Sequence, residues 1–313
     1  SLCLRGIHKL DKPKLTLAQK LRRNEVKMII SNLFEKKKPV VSFEIFPPKK
    51  EAELNNIDAT LKTLAQLHPD FISVTFGAGG SSADNKTVEL AKKIKRDYGI
   101  EPLVHLTCIS NSKEEIRQIL GQMEDAGLKN VLALRGDVNP NVPAKNDFRY
   151  ASELVAFIKE QGDFHVSGAC YPEVHLEAPD GIADIRNLKK KVDAGAAHLV
   201  SQLFFDNNVF YDFLTKVRIA GIDAPVEAGI MPVTNKAQIK RMVTMCGASL
   251  PDKFERILEK YGESKEALFD AGMVYAINQI VELISYGVDG IHIFTMNNPV
   301  VAGRICDGIK NLV

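Results

Sequence analysis

Eight short runs of β-branched and apolar residues recur along the chain, most of them starting about 30 residues apart. They are VVSFEIF (40–46), FISVTFG (71–77), PLVHLTC (102–108), NVLALRG (130–136), FHVSGACY (164–171), HLVSQLFF (198–205), PVEAGIM (225–231) and GIHIFTM (290–296). The runs are nearly continuous in apolar residues rather than strictly alternating, so each predicts a strand covered on both faces. The spacing is that of one strand plus one crossover helix, which makes neighbouring strands parallel. No GxGxxG follows the first run, so an open dinucleotide-binding sheet is disfavoured. Eight β/α units in succession predict a closed (β/α)8 TIM barrel.

The stretches between the runs carry helical spacing. Leu54, Ile57, Leu61 and Leu64 recur at three or four residues and suit one helix face, as do Ile116, Ile119, Leu120 and Met123. Gly127 and Gly195 stand where helices must stop before the next strand. The interval between the seventh and eighth runs is longer. It predicts an extra helix at DKFERILEKYGE and a main crossover helix over Leu268 to Tyr286. The expected organisation is one barrel domain over 21–313, with 1–20 as an arm or leader. That leader, SLCLRGIHKLDKPKLTLAQK, has basic residues but no continuous apolar core, so it is a poor signal peptide.

Composition narrows the function. With 41 Lys and Arg against 39 Asp and Glu the net charge is +2, and no basic stripe interleaves with aromatics, so nucleic acid is not an expected partner. No uninterrupted apolar run reaches the roughly 18 residues of a membrane span. The cysteines number 5, are scattered and form no CxxC pair, which argues against a disulfide framework and fits a reducing cytoplasm. No metal site is expected, because His105, His175 and His292 lack ligand spacing with any neighbour. GxSxG is absent, which removes the serine-nucleophile reading. No lysine falls inside a strand run, which removes a barrel Schiff base.

Barrel enzymes carry their chemistry at the C-terminal ends of the strands, and polar residues collect there run after run. Glu44 lies in the first, Thr75 and FGAGGSS end the second, and His105 and Thr107 lie in the third. Arg135, Gly136 and Asp137 end the fourth, Tyr171, Glu173 and His175 the fifth, and Gln202 lies in the sixth. Pro232 and Thr234 follow the seventh, and Thr295, Asn297 and Asn298 the eighth. Singly, each has an ordinary explanation: a satisfied core histidine, a turn-forming aspartate, a glycine-rich turn. Their convergence on one rim is what suggests a site.

SFEIFPPKK (42–50), SVTFGAGGS (73–81), HLTC (105–108), ALRGD (133–137), YPEVHLEA (171–178), LKKKVDAGA (188–196), SQLFFD (201–206), GIMPVTN (229–235) and GIHIFTMN (290–297) resemble, in order, the strand-end motifs of methylenetetrahydrofolate reductases. The likeness is to the short, single-barrel bacterial type and covers nearly all of the chain after residue 40. It implies an oxidoreductase of one-carbon metabolism and methionine biosynthesis. Such an enzyme holds FAD and passes a hydride from a reduced donor to 5,10-methylenetetrahydrofolate in ping-pong fashion, giving 5-methyltetrahydrofolate. Opening the methylene bridge requires a proton on the departing nitrogen. Glu44 matches the family's general acid, and burial in an apolar strand is expected to raise its pKa. Asp137 matches the aspartate near flavin and pterin, where its charge tunes the flavin. Gln202 matches a glutamine that contacts folate and nicotinamide in turn. The same likeness assigns Thr75, His105, Arg135, Gly136, Asp137, Tyr150, Ala151, Tyr171, His175, Asp184, Asn187 and Lys191 to FAD, with Arg and Lys suited to its pyrophosphate.

Two positions depart from the family pattern. Lys236 follows PVTN where many members carry an aromatic residue over the donor, and Asn298 stands where an arginine often occurs. The donor is thereby left open among NADH, NADPH and a redox protein partner, and a homo-oligomer is neither specified nor excluded. The rival readings are a different flavin barrel, such as a proline dehydrogenase-like enzyme, and a flavoprotein subunit fed by a protein partner.

Overall fold

The structure is a computed structural model that describes residues 29–48, 54–76, 86–138 and 142–313. The arm or leader expected over 1–20, the FGAGGSS loop beyond Phe76 and the side chain of Leu54 lie outside the described residues. All eight runs are strands: β1 (Val40–Ile45), β2 (Phe71–Val74), β3 (Glu101–Thr107), β4 (Asn130–Leu134), β5 (His165–Cys170), β6 (Ala196–Ser201), β7 (Val226–Ile230) and β8 (Gly290–Phe294). Each pairs in parallel with the next, and β1 pairs with β8, so the sheet closes into a barrel. The sixth strand ends at Ser201, four residues before the run does. The apolar residues beyond it serve helix packing instead: Phe204 stacks on Phe210 at 4.7 Å and Phe205 on Phe254 at 5.1 Å.

The helices that follow residue 48 are α2 (Leu54–Ala65), α3 (Lys86–Tyr98), α4 (Lys113–Asp125), α5 (Ala151–Gln161), α6 (Gly181–Asp193), α7 (Asn207–Ile219), α8 (Lys236–Cys246), α9 (Asp252–Tyr261), α10 (Lys265–Tyr286) and α11 (Pro299–Ile309); a one-turn α1 (Leu33–Lys36) precedes β1. Ile57, Leu61 and Leu64 are buried, as are Ile116, Ile119, Leu120 and Met123. Gly127 and Gly195 follow their helices at φ 68° and 119°. Between β7 and β8 lie three helices, with DKFERILEKY as α9 and the long crossover as α10. By length and composition alone α10 could cross a membrane. It is instead the barrel's last crossover, packed against α7, α9, α11 and β7.

Strand alternation divides the core in two. Val41, Phe43, Ile45, Ile72, Val104, Leu106, Ile291 and Ile293 pack outward against the helices. The inward set is apolar at the bottom, where Val40, Phe71, Leu103, Leu132 and Val200 meet Ile30 and Phe34 from the segment before β1. That segment forms a floor. Its Ile30 N–H donates to Asn130 Oδ1 at 3.1 Å, and the Phe34 ring lies 4.7 Å from that of His198. Above the floor the inward residues turn polar: Ser42, Ser73, Ser167, His198, Glu227 and His292 are buried inside the barrel. Bulky branched side chains are the usual filling of such a barrel, so this polar middle demands an explanation.

Candidate active site

β1 reaches the rim carrying Glu44, and the far end of β8 fixes it there. Thr295 Oγ1 donates to the Glu44 carbonyl at 2.6 Å. The Asn297 side chain then clamps Phe46 from both sides, accepting from its N–H at 3.0 Å and donating to its carbonyl at 2.8 Å. Met296 and Asn297 adopt φ near 53° and 54° to do so, a left-handed conformation that costs about 1–3 kcal/mol where a non-glycine residue holds it.

Glu44 opens onto a cavity of about 540 Å³ at the C-terminal mouth of the barrel, shared with Thr75, His105, Arg135, Gly136, Asp137, Tyr171, His175 and Gln202. Apolar side chains close its walls, among them Phe76, Leu134, Leu203, Met231, Phe294 and Met296. A second cleft of about 500 Å³ adjoins it across Arg135, Tyr171 and His175, and is lined by Tyr150, Ala151, Asp184, Asn187, Lys190 and Lys191. Every residue singled out from the sequence as a binding or catalytic group therefore lines one of two adjoining clefts.

Glu44 Oε2 lies 3.6 Å from His105 Nε2 and 3.5 Å from His292 Nε2. Burial pushes the Glu44 carboxyl up, but the contact with His292 and the nearness of His105 outweigh it and hold the group below its ordinary value. This reverses the sequence expectation, which considered burial without the histidines. Burial also drives His105 down to about 4. His105 Nε2 is buried and makes no hydrogen bond. Gln202 Oε1 accepts from Leu203 N–H at 2.8 Å, which leaves the amide NH2 as the end a ligand would meet.

In the second cleft Lys191 is the central cation. Its stem lies over Gly168, where a Cβ would stand 2.6 Å from Lys191 Cδ, so only glycine lets it reach inward. Its ammonium donates to the Ala169 carbonyl at 2.5 Å, and burial pushes its pKa down. Asp184 accepts from His175 N–H at 3.1 Å, and its carboxyl is raised by burial. The Tyr171 ring meets His175 edge-on at 4.6 Å, and burial beside Asp137 and Asp184 pushes its phenol up to about 12. Arg135 spans the seam and forks onto Glu177, one contact being 2.6 Å. α5 starts at Ala151, and Ala151 and Ser152 of its first turn line this cleft.

Other polar residues at the rim serve the frame. Both Glu173 oxygens accept from Ser249 N–H, at 3.0 and 2.9 Å. Asn298 caps α11, and Lys236 pairs with Glu263 at 2.9 Å. The sequence reading missed the apolar walls and the buried Ser42, Ser73, His198, Glu227 and His292. Their signal was present: each stands at an inward position of its strand, where an apolar residue is expected.

A family model described as Methylenetetrahydrofolate reductase matches residues 29–310. The chain is 36% identical over 266 residues to the 5,10-methylenetetrahydrofolate reductases of Pectobacterium carotovorum and Escherichia coli K12, covering 85% of this chain and 88% and 89% of theirs. It is 36% identical over 284 residues to Methylenetetrahydrofolate reductase (NADH) 1 of Arabidopsis thaliana, covering 86% of this chain and 48% of that one. Among solved structures, an uncharacterised Clostridium thermocellum protein that binds two copies of 5-methyl-5,6,7,8-tetrahydrofolic acid superposes with a TM-score of 0.68. It is 13% identical, and 91% of this chain covers 99% of that one, a likeness of fold.

Proposed function

Since this chain belongs to the methylenetetrahydrofolate reductase family and is an oxidoreductase, we propose that it uses FAD to reduce 5,10-methylenetetrahydrofolate to 5-methyltetrahydrofolate in two half-reactions at one site. The observation that carries this is the meeting of Glu44, Asp137 and Gln202 in one largely apolar cavity beside a second, cation-lined cleft.

The two clefts suit an elongated dinucleotide. His105 offers a buried nitrogen that makes no hydrogen bond, and Gly168 yields its Cβ volume to a buried lysine. Arg135, Lys190, Lys191 and the N–H groups opening α5 are the groups to hold the pyrophosphate. Thr75, Gly136, Tyr150, Tyr171, His175, Asp184 and Asn187 complete the cradle. When bound, FAD supplies the hydride-transfer chemistry.

The chain's own residues supply protons, orientation and dryness. Glu44, drawing on a proton held between it and His292 at 3.5 Å, passes that proton to the departing nitrogen of the folate as the methylene bridge opens. Asp137 and the Gln202 NH2 orient the pterin, and the apolar walls keep water from the opened bridge. The donor, NADH, NADPH or a redox protein, delivers its electrons at the same cavity. On this reading the catalytic unit is the barrel over 21–313, and it works in the cytoplasm, in keeping with the free thiols of Cys108, Cys170, Cys246 and Cys306.

Glu44→Gln tests the assignment. The rate of folate reduction by pre-reduced enzyme falls by about 100- to 10,000-fold, while flavin reduction by the donor changes less than about twofold. Stopped-flow absorbance reads both steps. Equal losses in the two, or none in either, would remove Glu44 as the acid.

A further inference from the structure

A continuous polar chain runs beneath Glu44 through the barrel interior. Ser167 Oγ meets His198 Nδ1 at 3.0 Å, and His198 Nε2 meets Glu227 Oε2 at 3.0 Å. Ser42 Oγ donates to Glu227 Oε1 at 2.8 Å and lies 2.6 Å from His292 Nδ1. His292 Nε2 then faces Glu44 Oε2, with Ser73 Oγ also at 3.5 Å. Ser42, His198, Glu227 and His292 are each 0% exposed. A buried carboxylate is costly unless its partners compensate, and well-packed apolar residues of similar volume are often at least as stabilising. The network's direction suggests what it does.

A serine hydroxyl has one proton. Given to Glu227, it leaves Ser42 Oγ as an acceptor, so the short contact with His292 requires a proton on Nδ1. With Nδ1 protonated, Nε2 of the neutral ring bears a lone pair. A lone pair facing a carboxylate is unfavourable, so the arrangement favours one proton between Nε2 and Glu44, with Ser73 Oγ also within 3.5 Å of Nε2.

We propose that Glu227 is a positioning residue for the reaction: through Ser42 it fixes the His292 ring proton on Nδ1 and so keeps one transferable proton on the His292–Glu44 pair. This rests on Glu44 being the acid. The groups facing the pair are His105 from β3, Ser73 from β2, Ser42 from β1 and, across the cavity, Asp137 after β4. Glu227 is faced by Ser42 and by His198. The proton leaves the pair for the substrate nitrogen as its bond to the methylene carbon breaks, and water returns one after product release.

The tests are Glu227→Gln and Ser42→Ala in the full chain with FAD bound. Replacing the carboxyl that accepts the Ser42 proton weakens the hold on the shared proton. The basic limb of the folate half-reaction therefore moves to lower pH by about one unit, and the rate above it drops about tenfold. Flavin reduction by the donor stays within about twofold. Ser42→Ala moves the limb in the same direction, and the double variant adds little to either change. Independently of activity, 15N NMR of histidine-labelled protein shows His292 protonated at Nδ1 in the parent and displaced from that state in Ser42→Ala. Where Glu227→Gln does not fold, Ser42→Ala carries both readouts. A stability loss that slows both half-reactions alike, with limb and tautomer unmoved, overturns the inference and makes the network a structural filling. If Glu44→Gln is inactive toward folate while these variants keep the parent limb and tautomer, the inference alone falls. If Glu44→Gln keeps the parent folate rate, the acid assignment fails and takes the inference with it.

Discussion

Phe34→Ala should destabilise the protein by about 3–5 kcal/mol, the usual cost of removing a buried phenylalanine ring. Phe34 is 5% exposed and belongs to a short segment with few other anchors. It packs with Ile30, Val40, Phe71, Leu103, Leu132 and Val200 and lies against the His198 ring. It also presses on β8, where a Cβ on Gly290 would stand 3.1 Å from the Phe34 ring. The floor cannot easily collapse into the space vacated, because the strands around it are held in register by the closed sheet. At about 2–4 °C per kcal/mol for a large domain, the melting temperature falls by roughly 6–20 °C. Urea unfolding at pH 7 measures the loss directly, and an unchanged slope attributes it to the native packing. Ile219→Ala is the control: Ile219 is 82% exposed, and its truncation changes stability by less than about 0.5 kcal/mol. If Phe34→Ala costs under about 1 kcal/mol, the segment before β1 is an appendage and the barrel's domain starts at residue 40.

Arg135→Ala should weaken FAD binding about 10- to 100-fold by fluorescence titration, the worth of a hydrogen bond to a charged group. Its effect on apo-protein stability stays under about 1 kcal/mol because its partner Glu177 is exposed. Asp137→Asn should raise the flavin potential, since a negative charge is removed, and slow folate reduction; an unchanged potential in a dye-coupled titration places Asp137 away from the flavin. Glu115 closes a capping box with Ser112 at the start of α4, and the Ser112 N–H holds its carboxyl below the ordinary value. A depressed folded-state pKa stabilises above the ordinary carboxylate pKa and loses that contribution as pH falls through the folded value. Glu115→Gln keeps the capping-box acceptor and removes only the charge, so it costs under about 1 kcal/mol at pH 7 and progressively less below about pH 4, as urea unfolding at both pH values would show.

The barrel was legible because parallel strands covered on both faces leave near-continuous apolar runs, and eight of them leave little freedom of topology. The rim was legible as polar residues ending those runs. Three things were hidden. The floor residues Ile30 and Phe34 sit in a 3-10 turn over Ile30–Asn32 and in the one-turn α1, too few turns to show a period. The end of β6 was blurred because Leu203, Phe204 and Phe205 are apolar for the sake of helix packing. The direction of the Glu44 shift depends on His292, which is 248 residues away in the chain and adjacent only once the barrel closes. Local sequence can report that a carboxyl is buried; it cannot report which ring it is buried against.

The seam between β1 and β8 has a consequence for how the molecule is made. Ser42 meets His292 across 250 residues, and Thr295 and Asn297 fasten Glu44 and Phe46 across 251. During synthesis the first strand therefore waits for nearly the whole chain to leave the ribosome before its second edge is paired. Until then Ser42 lacks one of its two buried partners, and Glu227 stands in a partial barrel open to water. A barrel missing its last strand would leave these polar groups partly unpaired if it dried, a cost that opposes early collapse. Premature collapse is disfavoured by the same buried polar groups that the finished molecule pairs, and the arrival of His292 completes both the ring and the Ser42–His292–Glu44 contacts. Truncation near residue 290 should thus yield a swollen, protease-sensitive chain rather than a seven-stranded relic.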